Sequence, residues 1–419
     1  MFFRFLFHLT MSITMLDDFV EISEGKTKLL VPQKSLTENV PPKTPAFFNP
    51  LAKLNRDISI QIYNSFLSTY SNNNESEIIF TDSLCGVGAR GIRVALEVPK
   101  IDRVFLNDVN PLAITAAKNS ARLNSFDIDK CNFVSKEVCN FLSSSVFELS
   151  RRFDIIDLDP FGSPAQYIDC ILRAVQNNGL ISVTATDTAV LCGVYPKVCY
   201  RKYYGKSIKS SYSNELGIRI LLSMISLVAS RLDMIICPVF VHANRHYLRV
   251  YCSVKLSNDL ANHVYENIGN VKHCPKCGFR EVVNTQNHSE KCFSCSNICL
   301  FAGPLWIKNL FDKNLISNVL HLLEYNNDYQ QDPNKNRKEN TRLKKIFDTS
   351  LSELDNICYY YTLDEIFSHL KTNPKSLDYV INFISSNGYT SSKTIFSPTG
   401  FKTDAKMSEI IKLMKNFGV

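Results

Sequence analysis

Strand-like and helix-like segments alternate between residues 78 and 185, and this pattern constrains the fold more than any other feature of the chain. Five runs rich in β-branched and aromatic residues are typical of strands: "EIIFTD", "RVFLND", "CNFVS", "FDIIDLD" and "GLISVTATD". Three segments among them carry apolar residues at helical spacing: "ARGIRVALEV", "NPLAITAAKNSARLN" and "SPAQYIDCILRAVQNN". Strands that alternate with amphipathic helices predict a doubly wound α/β fold around a parallel sheet.

The segments after residue 212 predict a hairpin and a second, smaller domain. A helix at 213–232 precedes "MIICPVFVHANRHYLRVYCSVKL", whose two β-rich runs predict a hairpin that adds an antiparallel strand to the sheet. Further on, "LDEIFSHL", "SLDYVINFISSNGY" and "KTIFSPTGFKT" predict two helices and a β-hairpin, a small winged-helix-like unit. The expected divisions are an N-terminal extension at 1–45, the α/β domain at 46–258, a cysteine-rich region at 259–325, a basic linker or exposed basic helix at 326–345, and the C-terminal domain at 346–419.

The amino-acid composition restricts the class of protein but does not indicate an activity. The 419 residues, 45% of them hydrophobic, suffice for about two or three globular domains. Lys and Arg outnumber Asp and Glu by 47 to 40, an excess that suits a polyanionic partner but equally an ordinary surface. Ten of the 14 cysteines are scattered singly, as buried thiols of a reducing compartment are. The opening "MFFRFLFHLTMSITM" is read as a start-site extension or first strand, with a short targeting segment as the alternative, and no apolar run is long enough to span a bilayer.

A glycine turn after the first predicted strand indicates a nucleoside cofactor. In "DSLCGVGARGIRVALE", Gly86 and Gly88 permit a tight turn and a close approach of the backbone to a ligand. Asp108 ends the next strand, where a carboxylate can accept hydrogen bonds from both ribose hydroxyls. Asp108 also fits a cap of the following helix. A dinucleotide would need a third glycine, for which Gly91 is poorly spaced, whereas S-adenosylmethionine has no phosphates and needs only the shorter turn.

The segment "FDIIDLDPFGSP" ends a predicted strand with an acid, a proline and an aromatic residue. The carboxylate of Asp159 and the carbonyl oxygen of Pro160 could accept the N–H bonds of an exocyclic amino group and aim its lone pair at a methyl donor. Phe161 could stack on the base. Two other interpretations stay open, a plain turn at "DPFG" and a catalytic role for Asp157.

Four motifs in order carry a family resemblance: "FFNPLAKLNRD", "DLDPFGSP", "TATDTAVLCG" and "FSPTGFKT". Together they resemble the tRNA guanine N2-methyltransferases, which dimethylate guanosine 26 with S-adenosylmethionine, and the resemblance runs from about residue 22 to 405. It implies a Rossmann-like class I methyltransferase domain with a zinc-knuckle insertion. It implies transfer of one and then a second methyl group to N2 of guanosine.

The resemblance also implies roles for individual residues. Asp159 is the expected catalytic acid, and Phe47 and Phe161 are the expected aromatic pair that sandwiches a guanine flipped out of its stack. Phe47 as a core residue is the alternative. Glu137 stands where the family more often has Asp, which puts its contact with the adenine amine in doubt. The expected cofactor contacts are Arg56, Arg90, Asp108, Glu137 and Val138, beside the turn glycines Gly86 and Gly88.

Two C-x-x-C knuckles predict a metal site. Cys274, Cys277, Cys292 and Cys295 form two such pairs separated by fourteen residues, the spacing of a closed, structural zinc site with four thiolates. His273, His288 and Cys299 could replace one ligand, although surface positions are the simpler interpretation for all three.

The segment "YPKVCYRKYYGKSIKSSYS" has five basic residues, five tyrosines and no acid. Cations neutralise phosphates and tyrosines stack on unpaired bases, so the segment is expected to contact RNA, with Arg201 and Lys202 as the leading residues. The expected partner is tRNA, in the nucleus or cytoplasm, with mitochondrial targeting as a weaker alternative.

Two other functions fit parts of the sequence. An amino-methyltransferase acting on adenine or cytosine would share the acid-Pro-aromatic tip, although the second proline of those tips is replaced here by Phe161. A non-catalytic, zinc-containing RNA-binding module would keep the cysteines and the basic segment alone.

Overall fold

The computed structural model describes residues 18–70, 77–244, 246–283, 289–328 and 337–416. These residues divide into two units, and strand β7 (Val175–Ala185) belongs partly to each. The first unit contains the described part of Met1–Asp159 together with Cys170–Ser182. The second contains Pro160–Asp169 and the described part of Val183–Val419.

A parallel sheet forms the centre of the first unit. Its strand order is β5-β4-β3-β6-β7, and β5, β4, β3 and β6 run parallel to one another. Every residue of β3 and β6 is buried, as expected for strands covered on both faces. The bounds are β3 Ile79–Asp82, β4 Arg103–Asn107, β5 Cys131–Val134 and β6 Phe153–Leu158. The predicted α/β fold with a parallel sheet is therefore confirmed.

Helices of the first unit follow the strands as the spacing of apolar residues predicts. A small antiparallel pair, β1 with β2, lies ahead of them and contacts helix α4 through a hydrogen bond from the Leu30 amide to the Ser120 hydroxyl, 2.8 Å long. The elements are β1 Phe19–Glu24, β2 Thr27–Pro32, α1 Lys34–Thr37, α2 Lys53–Thr69, α3 Ala89–Glu97, α4 Pro111–Arg122, α5 Val138–Leu149 and α6 Ile168–Ala174.

The second unit begins around the end of β7. Strands β9 and β8 continue the sheet order beyond it and pair as an antiparallel hairpin, as predicted. The long helix α9 is buried along most of its length. The elements are α7 Thr188–Leu191, α8 Pro196–Tyr203, α9 Ser213–Ser230, β8 Met234–Asn244, β9 Tyr247–Leu256 and α10 Asn258–Asn262.

Two small antiparallel sheets complete the second unit, with strand orders β11-β10-β12 and β13-β15-β14. The second of these sheets contains the predicted hairpin that follows two helices, with one further strand before them and one helix after it. The elements are β10 Ile268–His273, β11 Arg280–Val283, β12 Leu300–Trp306, α11 Lys313–Asp328, α12 Arg337–Ser352, β13 Tyr361–Thr362, α13 Leu363–Leu370, α14 Leu377–Ser386, β14 Ser391–Lys393, β15 Gly400–Thr403 and α15 Met407–Asn416.

A buried ion cluster explains the basic residue of the "TGFKT" motif. The Lys402 ammonium on β15 lies 2.8 Å from Glu215 on α9 and 3.0 Å from Glu353. Arg219, one turn after Glu215, lies 2.8 Å from the same carboxylate. All four side chains are buried, so removal of one member would leave an uncompensated buried charge.

The structure differs from three predictions, which concern the end of a helix, the state of Cys170 and the basic linker. Residues 175–178 were predicted to end a helix, but they begin β7, with Asn178 in the left-handed region (φ 63°). Cys170 was expected to be a single thiol, but it forms a disulfide with Cys139. In the region predicted as a basic linker, residues 337–345 are helical, whereas 329–336 lie outside the described part of the chain.

The proposed targeting segment at residues 1–15 also lies outside the described part of the chain. Among the residues that the structure describes, no helix has both the length and the apolar character needed to cross a lipid bilayer.

Candidate active site

Four acids gather at the carboxyl ends of neighbouring parallel strands. Asp82 ends β3, Asp108 follows β4, and Asp157 and Asp159 lie at the end of β6. Asp82 and Asp157 are register partners on adjacent strands. Because open α/β sheets bind ligands at this edge, the position agrees with the sequence-based expectation of a site here.

One guanidinium group joins two of these acids. Arg90 Nη2 lies 2.7 Å from an oxygen of Asp159, and Arg90 Nε lies 3.2 Å from an oxygen of Asp157. The same guanidinium also donates to Asn55 Oδ1 at 3.1 Å and to the Ser59 hydroxyl at 2.6 Å. Arg90 was expected to contact the cofactor. The structure places it against the expected catalytic acid, where its hydrogen bond holds the Asp159 carboxylate in position.

Asp159 and Asp157, the two candidates for the catalytic acid, differ in their exposure to solvent. The Asp157 side chain is fully buried and accepts hydrogen bonds from the Tyr63 hydroxyl and, at 3.0 Å, from the Ser182 hydroxyl. The Asp159 side chain is 28% exposed. A carboxylate that reaches solvent can meet a substrate, so the geometry favours Asp159 for chemistry and Asp157 for support.

Asp82 was not predicted to belong to the site. Its carboxylate accepts a hydrogen bond from the Gly91 amide at 3.1 Å. Burial, reinforced by the neighbouring charge of Asp157, raises the pKa of Asp82 from 3.8 to about 7, although Arg90 opposes the shift. A sequence signal existed, because "FTDSLCG" ends a strand with an acid directly before the glycine turn.

We expect Asp82→Asn to remove a pH dependence of stability. Because the pKa of Asp82 is raised in the folded protein, its stabilising contribution is complete below pH 3.8 and is lost as the pH rises through about 7. A shift of this size corresponds to roughly 2–4 kcal/mol. Urea unfolding between about pH 5 and 8 should show wild-type stability falling relative to the variant. A constant difference across that range would contradict the assignment.

Asp108 connects the glycine turn to the next helix. One carboxylate oxygen accepts from the Gly86 amide and the other from the Asn110 amide, both at 2.9 Å. The residue that caps α4 is Asn110, whose side chain accepts from the Leu112 amide, so Asp108 is not the cap. Gly86 has φ 52°, and a Cβ there would lie 2.7 Å from the Phe47 carbonyl oxygen. The turn thus requires glycine at position 86 both for its positive φ and for the space that a Cβ would take.

Three other expected cofactor contacts have partners of their own. Arg56 donates two hydrogen bonds of 2.6 Å to Glu24, a pair that lowers the pKa of Glu24 to about 2 despite its burial. Glu137 is exposed and caps α5 by accepting from the Asn140 amide at 3.0 Å. Val138 begins that helix and is buried. The Arg56 guanidinium is therefore committed to a structural ion pair.

The other expected residues of the tip are placed as follows. Pro160 is buried and Phe161 is 55% exposed. Gly162, which follows, exchanges hydrogen bonds with Thr186, its amide donating to the hydroxyl at 2.6 Å and its carbonyl accepting from the amide at 2.9 Å. Phe47 is partly buried, whereas its neighbour Phe48 is a core residue.

The four knuckle cysteines come together. The Sγ atoms of Cys274, Cys277, Cys292 and Cys295 all lie within 4.8 Å of one another, so they could hold one tetrahedral metal ion. Asn297 amides donate to Cys295 and lower its thiol pKa to about 6, which favours the thiolate that metal binding needs. Cys299 is buried beside these four thiols without being one of them, and His273 is buried against Tyr212, so the surface positions expected for these two residues are wrong. His288 lies outside the described residues.

The tyrosine-rich basic segment divides between core and surface. Tyr203 and Tyr212 are buried, whereas Arg201 is exposed on α8. Lys202, expected to contact RNA, lies 3.6 Å from a carboxylate oxygen of Asp187. The Tyr203 hydroxyl donates to the other oxygen of Asp187 at 2.6 Å. Lys202 therefore forms an ion pair with Asp187 while its side chain stays 38% exposed.

Sequence reasoning also missed the support from helix α2. Asn55, Ser59 and Tyr63 are spaced four residues apart, so they share one face of that helix. They supply hydrogen bonds to Arg90 and Asp157. The polar spacing within "NRDISIQIYNS" was the available signal.

Comparisons with known proteins agree with this geometry. A family model described as N2,N2-dimethylguanosine tRNA methyltransferase matches residues 25–415. A tRNA (guanine(26)-N(2))-dimethyltransferase of Methanosphaera stadtmanae is 34% identical over 397 residues, which are 94% of this chain and 96% of the relative. The protein of the same name from Methanothermobacter thermautotrophicus is 32% identical over 403 residues, which are 94% and 98% of the two chains.

A solved structure is similar over nearly the whole length. It is Trm1 from Pyrococcus horikoshii in complex with S-adenosyl-L-methionine, with a TM-score of 0.77 and 28% identity. The similarity covers 94% of this chain and 99% of that one. Because the family model spans most of the sequence and both relatives exceed 30% identity, this chain belongs to the N2,N2-dimethylguanosine tRNA methyltransferase family.

Proposed function

We propose that this protein transfers methyl groups from S-adenosylmethionine to the exocyclic N2 of guanosine 26 in tRNA, first one and then a second. Membership in the family supports the reaction. The observation that carries its placement is the Asp159 carboxylate, which is held by Arg90 at the carboxyl end of β6 and still reaches solvent. The product would be N2,N2-dimethylguanosine.

The chemistry explains why an acid is needed at that place. The lone pair of the guanine amino nitrogen is delocalised into the ring, so the nitrogen is a poor nucleophile. The Asp159 carboxylate and the Pro160 carbonyl oxygen would each accept one of its N–H bonds, which turns the lone pair away from the ring and towards the methyl donor. The carboxylate also compensates the positive charge that develops on the nitrogen and accepts the proton that leaves.

The residues at the sheet edge fit the cofactor chemically. Asp108 follows β4 and Glu137 caps the helix after β5, so carboxylates are available for the ribose hydroxyls and the adenine amine. Gly86 allows the Phe47 carbonyl oxygen to approach this turn closely, because a Cβ there would lie 2.7 Å from that oxygen. S-adenosylmethionine supplies an electrophilic methyl group on a sulfonium. Arg90, Val138 and Gly88 remain proposed neighbours of this site, while Arg56 would act through its ion pair with Glu24.

Aromatic side chains would hold the flipped base. Phe161 is more than half exposed, and Phe47 is partly buried. We assign them to the two faces of the guanine. After the first transfer one N–H remains, and the monomethylated nitrogen must turn or rebind before it can offer this bond to Asp159.

The cysteine cluster would bind one structural zinc ion. Four thiols within 4.8 Å match the ligand number and type of closed zinc sites, with no position left for water. The ion would hold this region together, because the apolar cluster around the cysteines is small and contains Phe279 and the partly buried Phe301.

Mass spectrometry of nucleosides tests the proposed reaction. A tRNA transcript incubated with the protein and S-adenosylmethionine should yield N2-methylguanosine and then N2,N2-dimethylguanosine. A transcript with adenosine at position 26 should yield neither. Methylation of the adenosine transcript, or methyl groups on cytosine or adenine, would favour a different base specificity.

A further inference from the structure

Three large aromatic side chains lie exposed on and beside helix α8. Tyr195 is 55% exposed, Tyr200 is 63% exposed and Tyr204 is 57% exposed. The segment therefore keeps its other two tyrosines in the core and presents these three to solvent. Clustered exposed aromatic residues commonly mark a binding surface rather than a folding requirement.

The same surface is positively charged. Lys197, Arg201, Lys206 and Lys209 are exposed, and none of them forms an ion pair with a residue that the structure describes. No acid occurs in the sequence between Asp187 and Glu215, and Glu215 is buried. A run of cations with no acid among them in the sequence favours a polyanionic partner.

Helical spacing places the rings and cations side by side. Lys197, Tyr200, Arg201 and Tyr204 stand three or four residues apart, and Tyr204 follows the last residue of α8 with its amide bonded to the Tyr200 carbonyl at 2.9 Å. Lys197, Tyr200 and Arg201 therefore share one face of the helix, and Tyr204, whose backbone is left-handed (φ 56°), lies exposed directly after it. We call these four residues the α8 outer face.

The inner side of α8 is bonded to the segment that also holds the catalytic tip. Tyr203 and Lys202 both contact Asp187. Thr186, the preceding residue, exchanges two hydrogen bonds with Gly162, which lies three residues after Asp159 in the chain. Helix α8 is thus linked through Asp187 and Thr186 to Gly162.

We propose that the α8 outer face binds unpaired nucleotides next to the guanosine that is methylated, with Tyr200 and Tyr204 stacking on a base and Arg201 contacting a phosphate. This assignment rests on the proposed tRNA methyltransferase function. Aromatic rings beside cations are the combination that binds single-stranded nucleic acid, since the ring takes any base face and the cation takes the backbone.

The test is a pair of variants measured on tRNA binding and methylation. Tyr200→Ala with Tyr204→Ala should weaken tRNA affinity about 10-fold or more, because a stacked base typically contributes that much. Tyr200→Phe with Tyr204→Phe should bind like wild type, since stacking needs the ring and not the hydroxyl. The affinity of either variant for S-adenosylmethionine should be unchanged, which also shows that the fold is intact.

Tyr265→Ala is the matched control. Tyr265 is 66% exposed, close to the value for Tyr200, but Glu266 follows it in the sequence and Asp259 lies nearby on α10, so the local charge does not favour phosphates. Its replacement should leave tRNA affinity unchanged.

A tRNA with an abasic residue beside guanosine 26 identifies the stacked base. Wild-type protein should bind it about 10-fold more weakly, whereas the double alanine variant should lose nothing further, because the same contact is already missing. If the wild-type protein dimethylates guanosine 26 and the double alanine variant keeps full affinity for tRNA, only the assignment of the α8 outer face is overturned. Wild-type protein that leaves guanosine 26 unmodified would overturn the proposed function itself.

Discussion

Asp159→Ala should reduce the rate of methyl transfer by about 10³-fold or more, because it removes both the acceptor that orients the nitrogen and the group that takes its proton. Affinity for tRNA and for S-adenosylmethionine should be close to that of the wild type. Arg90 keeps its contacts with Asn55, Ser59 and Asp157, so the fold should persist. Single-turnover assays with labelled cofactor measure the rate without interference from product release.

The control for this result is Asp159→Asn, which keeps the shape and one acceptor oxygen but loses the charge. We expect it to retain more activity than the alanine variant and much less than the wild type. If Asp159→Ala still methylates at a tenth or more of the wild-type rate, the activation barrier has risen by no more than roughly 1.4 kcal/mol. That result would mean that another group is the catalytic one.

Cys292→Ala should abolish zinc binding and unfold the sheet formed by β10, β11 and β12. Cys292 is buried among the four thiols, and structural zinc sites contribute about 10 kcal/mol or more of apparent binding free energy. Elemental analysis should find one zinc per wild-type chain and none in the variant. The variant should also unfold at a lower temperature, as should the wild-type protein after treatment with a strong chelator.

The loss should spread beyond the cysteines. Arg280 on β11 is buried, donates to the Tyr360 carbonyl at 2.6 Å and pairs with Glu365. Its guanidinium carbon also lies 4.5 Å from the centre of the Tyr212 ring and 4.4 Å from that of Tyr361. Unfolding of β11 would withdraw a buried cation from both rings and leave Glu365 without this partner.

Cys299→Ala separates zinc binding from packing. Cys299 is buried in the same cluster but lies outside the group of four ligands. The variant should keep its zinc and lose only a small amount of stability. Loss of zinc from Cys299→Ala, or full zinc content in Cys292→Ala, would show that a different set of residues holds the metal.

The sequence predicted the parts of the fold that depend on local periodicity. The buried strands around Asp82, Asn107 and Leu158 are apolar runs of ordinary length, and the hairpin at 234–256 alternates as half-buried strands do. The predicted end of helix α6 was wrong, because the sequence has no strong helix breaker before Gly179 and residues 175–178 therefore looked helical. Pairing of Cys139 with Cys170 joins residues 31 positions apart, and no local pattern shows such a contact.

The candidate site was predictable where a residue type ends a strand, and unpredictable where a partner comes from elsewhere in the chain. Asp108 and Asp159 could be found from the strands that precede them. The contact between Arg90 and Asp159 could not be found in this way, because it joins residues 69 positions apart. Lys202 was expected to contact RNA, and only the folded chain shows that its ammonium lies 3.6 Å from Asp187.

The most direct test of the account replaces guanosine 26 with inosine, which differs only in lacking the exocyclic amino group that Asp159 and Pro160 are proposed to hold. Wild-type protein should transfer labelled methyl groups to the guanosine transcript and none to the inosine transcript, although it should still bind both. Equal labelling of the two transcripts would contradict the claim that this nitrogen is the methyl acceptor.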